Sequence, residues 1–221
     1  MAHILQGLIS RAGWFFAALF IWTASGAPTF SHRVHLNLKL TCVTCHSSTS
    51  RSTRASDNNL PKPEICATCH GVAGKARALE GPIKTPRKLL VTKFNHQLHL
   101  KMGNVAPVIA RAIDSKGYLS PPGDMRKYLE TKNACAACHR GLEHSDEVSA
   151  AAFPRMADCL VCHNKIDPPF SCEKCHDQSA PLKPADHTPD FLDRHSKRGT
   201  IQNSETCAVC HGRKFTCLGC H

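Results

Sequence analysis

The sequence lacks any cysteine that stands alone, because each of its 14 cysteines belongs to one of seven Cys-x-x-Cys-His motifs. No cysteine is therefore left for a lipid anchor, and a disulfide framework gives no reason for the histidine that follows every second cysteine. Zinc sites use two cysteine pairs, or one pair with separate histidines, so an odd number of pairs also fits structural zinc badly.

The repeated motif is that of covalent haem attachment. In Cys-x-x-Cys-His the two thiols add to the vinyl groups of one haem, and the adjacent histidine is placed to bind its iron from the proximal side. The sequence thus predicts seven covalently attached c-type haems. The predicted thioether cysteines are Cys42, Cys45, Cys66, Cys69, Cys135, Cys138, Cys159, Cys162, Cys172, Cys175, Cys207, Cys210, Cys217 and Cys220. The predicted proximal iron ligands are His46, His70, His139, His163, His176, His211 and His221.

Long apolar runs are also missing. The one apolar stretch near the N-terminus, Trp14–Trp22, is short for a membrane-spanning helix. Arg11 precedes it and the small residues Thr23–Ala27 follow it, so residues 1–27 are interpreted as an export signal cleaved after Gly26. Retention of this segment as an N-terminal anchor is the alternative. Export agrees with the chemistry, since c-type haem is attached outside the cytoplasm.

Little polypeptide is available for each haem. Without the signal about 195 residues remain, which gives about 28 residues per haem and one domain as the starting expectation. A chain so thinly spread cannot build an ordinary apolar core around each cofactor. We therefore expect the fold of a multihaem cytochrome c, mostly loops with short α-helices wrapped round a stacked haem core, with almost no β-sheet.

Acidic residues are scarce, since 17 Asp and Glu stand against 28 Lys and Arg, which gives a formal charge of +11. Such an excess would suggest nucleic acid or an anionic membrane surface as a partner. Seven haems, however, bring fourteen propionates, which take the charge from +11 to −3 before the iron charges are counted. We interpret the cations as compensation for propionates and expect no nucleic-acid partner.

The chain contains an internal repeat. The heptad Phe30–Leu36 matches the heptad Phe94–Leu100, and the two motifs that follow each heptad start 24 residues apart in both copies. The heptads are offset by 64 residues and the motifs by 93, so the second copy carries 29 additional residues. The pattern indicates duplication of a two-haem unit, with a first copy at residues 30–70 and a second copy at residues 94–163.

The repeat divides the chain after the signal into two modules. Residues 28–93 form a two-haem module that ends in a basic linker at 71–93, and residues 94–221 form a five-haem module. The second module contains an insertion at residues 101–134.

The insertion predicts two short helices, near Val105–Asp114 and Asp124–Lys132, with a plain surface loop as the alternative. It also holds both tyrosines, Tyr118 and Tyr128, which are the only extra material that could frame a catalytic site. Another short helix is predicted at Phe191–His195, between two histidines.

Seven histidines remain for the distal iron positions once the proximal ligands and His3 of the signal are set aside. Their number matches the seven haems, and two pairs stand three residues apart in the repeated heptad, where they can point to adjacent haems. We predict bis-histidine ligation of most or all haems. The predicted distal ligands are His32, His35, His96, His99, His144, His187 and His195.

His144 stands alone, outside any such pair. Without it one haem would be open or bound by methionine. Met102, Met125 and Met156 are the alternative ligands, but nothing places them at a fixed distance from a motif, so ordinary packing is the better interpretation.

The Phe-x-His-x-x-His heptads ahead of Cys-x-x-Cys-His resemble the class III multihaem cytochromes c, small periplasmic carriers with three or four haems, and their larger relatives. The resemblance implies that the first histidine of each heptad ligates the haem of its own neighbourhood and the second ligates another haem. This carries over to His32 and His35, and again to His96 and His99. The stretch from Leu182 to His221 is similar to the C-terminal part of longer exported cytochromes of this type. The seven-haem count and the insertion depart from the family pattern.

The leading hypothesis is an electron carrier, not an enzyme, that works between donor and acceptor redox proteins of the cell envelope. A multihaem reductase or oxidase with one open iron is the second hypothesis, although no motif has lysine in place of the proximal histidine. A membrane-anchored cytochrome that oxidises quinol is the third. We expect a periplasmic location, with extracellular or membrane-associated placement and contact with an outer-membrane conduit as second choice. The haem at Cys217–His221 is expected to be exposed and to act as an entry or exit port.

Overall fold

The computed structural model describes residues 30–71, 91–147, 149–164, 172–195, 197 and 207–211. The predicted export signal and the motif Cys217–His221 lie outside the described residues, as does most of the basic linker.

Short helices joined by turns make up the described part of the chain. Its longest helix, α5, has nine residues. The α-helices are α1 (His32–Asn37), α2 (Cys42–Cys45), α3 (Pro63–His70), α4 (His96–Lys101), α5 (Ala106–Asp114), α6 (Met156–Leu160), α7 (Phe191–His195) and α8 (Ala208–His211). Single 3-10 segments lie at Ser47–Arg51, Gly123–Leu129, Cys135–Ala137, Leu142–His144, Ala150–Ala152 and Cys172–Lys174. Pairing of β type is limited, within the described residues, to an isolated antiparallel bridge between Val91 and His176. The prediction of short helices with almost no sheet is confirmed for this part of the chain.

The haem motifs adopt one helical turn. In each of five motifs the histidine amide donates to the carbonyl of the first cysteine, which lies four residues earlier. These bonds are His46–Cys42 (2.9 Å), His139–Cys135 (2.9 Å), His163–Cys159 (2.9 Å), His176–Cys172 (3.0 Å) and His211–Cys207 (2.9 Å). Because residues i, i+3 and i+4 of a helical turn share one face, the two thiols and the imidazole of a motif face the same way.

The two heptads fold into matching helices, α1 and α4. Each helix begins after a polar residue whose side chain caps it: Ser31 accepts a hydrogen bond from the amide of Val34, and Asn95 accepts one from the amide of Leu98. Val34 and Leu98 are equivalent in the repeat, so the same local signal starts both helices.

The insertion forms a small apolar core of its own, in addition to the stacked haem core that the sequence predicts. Its α5 and its turn Gly123–Leu129 match the two predicted helices, and the alternative of a plain surface loop is wrong. Its buried residues pack on alanines that flank or belong to two haem motifs. The cluster consists of Ala106, Ile109, Ala110, Tyr118, Met125, Leu129, Ala137 and Ala157. Within residues 30–71, by contrast, only Ser52 is buried, because the first copy lacks these additional residues.

The two copies of the repeat dock on each other reciprocally. Helix α1 of the first copy packs on the turn Leu142–His144 of the second, and α4 of the second copy packs on the turn Ser47–Arg51 of the first. The segment before α4 also pairs with a later motif, since the Thr92 amide donates to the Cys175 carbonyl at 3.1 Å. Noncovalent contacts therefore join motifs that are distant in the sequence.

Candidate haem sites

Four of the predicted distal histidines lie opposite a histidine of a haem motif. The ring centres are 6.4 Å apart for His32 and His46, 6.1 Å for His35 and His70, 6.2 Å for His99 and His163, and 6.3 Å for His187 and His211. The first and last of these pairs are nearly parallel, with interplanar angles of 8° and 5°.

This spacing is too long for direct ring stacking and fits a metal ion between the rings. A bond from a metal to an imidazole nitrogen is about 2 Å long, and the ring centre lies roughly 1 Å behind that nitrogen, so two imidazoles on opposite sides of one metal have centres about 6 Å apart. Two cysteines stand within four residues of the proximal ring in every pair. The residues therefore fit a covalently attached haem with two axial imidazoles.

The other ring nitrogen of several of these histidines is held by the backbone. A hydrogen bond from Nδ1 to a carbonyl fixes the ring and leaves Nε2 as the metal-binding atom. The bonds are His35 to Ser31 (2.8 Å), His99 to Asn95 (2.7 Å), His46 to Asn59 (2.7 Å) and His139 to Ala152 (3.0 Å). The two copies use equivalent carbonyls, four residues before the heptad histidine and 13 residues after the proximal one.

The heptad phenylalanine supports both histidines of its helix. Phe30 meets His32 edge-on at 4.8 Å and stacks on His35 at 4.5 Å. In the second copy Phe94 meets His96 edge-on at 4.7 Å and stacks on His99 at 4.3 Å. The phenylalanine therefore fixes the directions in which the two imidazoles of each helix point.

His96 lies near the proximal His139. Burial lowers the pKa of His96, and the neighbouring His139 and His99 lower it further. Its Nδ1 is 3.3 Å from the Ser52 hydroxyl. The equivalent His32 has its pKa lowered to about 4, mainly by burial and then by His46, His35 and His139. Both rings are therefore neutral at neutral pH, which is the form that binds a metal.

His144 is placed differently. Its side chain is 72% exposed, and its ring lies 6.3 Å from Tyr128, tilted by 48°. No described proximal histidine contacts it, so its role as a ligand stays a prediction. The side chain of His195 and the proximal His221 lie outside the described residues.

The structure shows the environment of two of the alternative methionine ligands, Met125 and Met102. Met125 is buried in the core, where the Tyr118 hydroxyl lies 3.8 Å from its sulfur. Met102 is 59% exposed just after α4. Core packing thus accounts for Met125.

A buried polar network that sequence reasoning missed ties two haem motifs together. The Tyr118 hydroxyl donates to Asp158 at 2.9 Å, and the Arg140 guanidinium donates to the other oxygen of Asp158 at 2.6 Å. Burial and the Asp158 carboxylate raise the pKa of Tyr118. Arg140 directly follows His139, and Asp158 directly precedes Cys159. The signal was available in the repeat, because the first copy has the uncharged Ser47 and Ile65 at the positions of Arg140 and Asp158.

The first motifs of the two copies meet at their leading cysteines. The Asn133 amide donates to the Cys42 sulfur at 3.3 Å. A hydrogen bond with Cys135 lowers the pKa of the Cys42 thiol to about 5 and raises that of Cys135. A groove lined by His32, His46 and His139 runs past these cysteines, so it belongs to both copies.

Paired imidazoles beside Cys-x-x-Cys-His turns define a multihaem c-type cytochrome. Residues 38–221 match the family described as outer membrane cytochrome MtrC/MtrF-like, domains II/IV. The match covers well over half of the chain, so the protein belongs to this family. As a member it is a multihaem cytochrome that carries electrons. No curated protein and no solved structure matches the chain.

The family assignment agrees with the predicted multihaem c-type cytochrome and does not support the class III subtype suggested by the heptads. Among the described segments, no helix is long and apolar enough to cross a membrane.

Proposed function

We propose that the protein is a heptahaem cytochrome that passes electrons between redox proteins of the cell envelope, with all or most of its haems ligated by two histidines. The observation that carries the proposal is the separation of four imidazole pairs by 6.1 to 6.4 Å. A haem bound at such a site supplies an iron that takes up and releases one electron.

The protein residues would hold each haem through the two cysteines of its motif, the proximal histidine and one distal histidine. His32 would serve the site of His46, and His35 the site of His70. In the second copy His99 would serve the site of His163, and the repeat assigns His96 to His139. Two strong ligands leave no iron position for a substrate, which favours a carrier over a reductase.

Histidines three residues apart on α1 and α4 bring two haem sites to one helical turn. Since His32 and His35 face different motifs, α1 would contribute ligands to two haem sites, and the repeat assigns the same role to α4. Electrons can then pass between the two sites of a copy without a mobile carrier.

The matching family is described as outer-membrane cytochromes. We therefore place the redox partners in an outer-membrane conduit of the cell envelope, and we favour a membrane-associated or extracellular position over free diffusion in the periplasm.

Haem stoichiometry and spin state test this proposal. Mass spectrometry of the exported protein should show the mass gain of seven haems. Low-temperature EPR of the oxidised protein should show low-spin ferric signals only, and the reduced protein should bind no carbon monoxide. A high-spin signal with a matching carbon monoxide shift would instead indicate an open iron and support the reductase alternative.

A further inference from the structure

The contacts between the two copies are reciprocal at the level of single atoms. The Arg33 amide donates to the Ser145 carbonyl at 3.1 Å, and the Gln97 amide donates to the Ser52 carbonyl at 3.0 Å. Arg33 and Gln97 are equivalent in the heptads, and Ser145 and Ser52 are equivalent after the first motifs. Such an exchange, in which residue i of one unit meets residue j of the other and j meets i, is the mark of a two-fold interface.

Cys42 and Cys135 lie on the axis of this arrangement. They occupy the same position in the two copies, 93 residues apart, and both line the groove that the copies share. Two equivalent residues can lie side by side only close to a two-fold axis. The first motifs of the copies are therefore central, and the second motifs, which end in His70 and His163, are peripheral.

The side chains near this axis differ between the two copies. Asn133 donates to the Cys42 sulfur, whereas the equivalent residue of the first copy is Leu40. Both residues line the groove that the two copies share. At this position the second copy therefore has a polar side chain that holds the cysteine of the other copy, whereas the first copy has an apolar one.

We propose that Cys42 and Cys135 mark a direct electron-transfer junction between the two copies, and that Asn133 is the positioning residue of this junction. The inference rests on the proposed function, because it requires haem at both motifs. It orders four sites as His70, His46, His139 and His163. One electron that crosses the junction oxidises the iron on one side and reduces the iron on the other, and no bond is made or broken.

Replacement of Asn133 by the residue of the other copy tests the junction. Two haems held edge to edge give a bisignate band in Soret circular dichroism, whose amplitude depends steeply on their distance and orientation. The Asn133→Leu variant should keep its haem content and lose at least half of this amplitude. Asn133→Gln, which retains an amide donor, should restore most of it. Asn37→Leu, the same change at an exposed asparagine of α1, should leave the band intact.

The outcomes separate this inference from the proposed function. Full haem content with an unchanged band in Asn133→Leu would overturn the junction and leave the carrier function standing. A wild-type protein without the full haem content would overturn the proposed function first.

A second experiment does not depend on Asn133. The Arg33 side chain forms an ion pair with Asp146 at 2.7 Å, across the interface of the two copies. In the loaded Arg33→Lys variant, a zero-length carbodiimide should join the new amine to Asp146, and peptide mapping should find this link within single chains. If Asn133→Leu reduces haem attachment, the presence of the link still supports the two-fold interface, and its absence overturns it.

Discussion

His187 and His144 show how differently two predicted ligands can be placed. The His187 ring stacks on Phe191 at 4.4 Å, its Nδ1 lies 2.9 Å from an Asp186 oxygen, and it faces His211. The His144 side chain is 72% exposed, and its neighbours are more distant: the Tyr128 ring at 6.3 Å and a Glu143 oxygen 3.9 Å from its Nε2. A ring that is held in place binds a metal without further loss of conformational freedom.

The exchange of each histidine for alanine should therefore give opposite results. His187→Ala should open one iron, which would produce a high-spin ferric EPR signal and carbon monoxide binding equal to one haem. His144→Ala should leave both spectra as in the wild type, in which case methionine would supply the second ligand of the remaining iron. An unchanged spectrum for His187→Ala would show that His187 is not a ligand, and a new high-spin signal for His144→Ala would show that His144 is one.

The sequence predicts which histidines are candidate iron ligands, but it does not predict the groups that hold their rings in place. The Cys-x-x-Cys-His motif and the heptad identify the histidines because both patterns are defined by side chains. The acceptors that orient His46 and His139 are the backbone carbonyls of Asn59 and Ala152, and a carbonyl leaves no trace in residue identity. Asn133 was missed for a related reason, since a single asparagine in an insertion carries no pattern.

The insertion acts as a unit at the scale of elements. Its α5 and its turn Gly123–Leu129 pack on the motif that starts at Cys135, and Tyr118 joins the ion pair of Arg140 and Asp158. Both side chains of that pair are less than 5% exposed. Removal of one partner from a buried pair leaves an uncompensated charge in a medium of low polarity.

Substitution of Asp158 should thus destabilise the second copy strongly. We expect Asp158→Asn to lower the free energy of unfolding by about 3–5 kcal/mol, as for other broken buried ion pairs. Tyr118→Phe, which removes one hydrogen bond to a charged group, should lower it by about 1.5–3 kcal/mol. Urea unfolding of the haem-loaded protein, followed by circular dichroism, measures both.

Tyr128→Phe is the matched control in the same insertion. Tyr128 is only partly buried, so its substitution should change the stability by less than about 0.5 kcal/mol. Equal losses for the two phenylalanine variants would show that the hydrogen bond to Asp158 does not stabilise the core.

The helices of the insertion were predictable, but the docking of elements was not. Apolar spacing and turn residues predict α5 from local sequence alone. The reciprocal docking of α1 and α4 depends on partners such as Arg33 and Asp146, which lie 113 residues apart. The repeat shows that two positions are equivalent. It does not show whether a residue contacts the other copy or the copy to which it belongs.

The whole molecule should change the sign of its net charge with its redox state. Fourteen propionates would take the formal charge of +11 to −3 in the reduced protein. Each ferric haem iron carries one more positive charge than a ferrous one, so seven of them bring the oxidised protein to about +4. Loss of residues 1–27, with the cation Arg11, lowers both values by one unit.

Capillary electrophoresis at neutral pH checks this prediction. The reduced protein should migrate to the anode and the oxidised protein to the cathode. Migration to the cathode in both states would indicate fewer haems, or propionates that stay protonated. Docking to a charged partner would then not depend on the oxidation state of the protein.

The reciprocal docking of α1 and α4 has a consequence for biogenesis. A chain that crosses a membrane N-terminus first delivers α1 long before the turn Leu142–His144 on which α1 rests. The first two motifs, with His32 and His35, would then leave the membrane before the surface on which α1 packs. Haem would be joined to the cysteines of the first copy before the contact between the two copies can form.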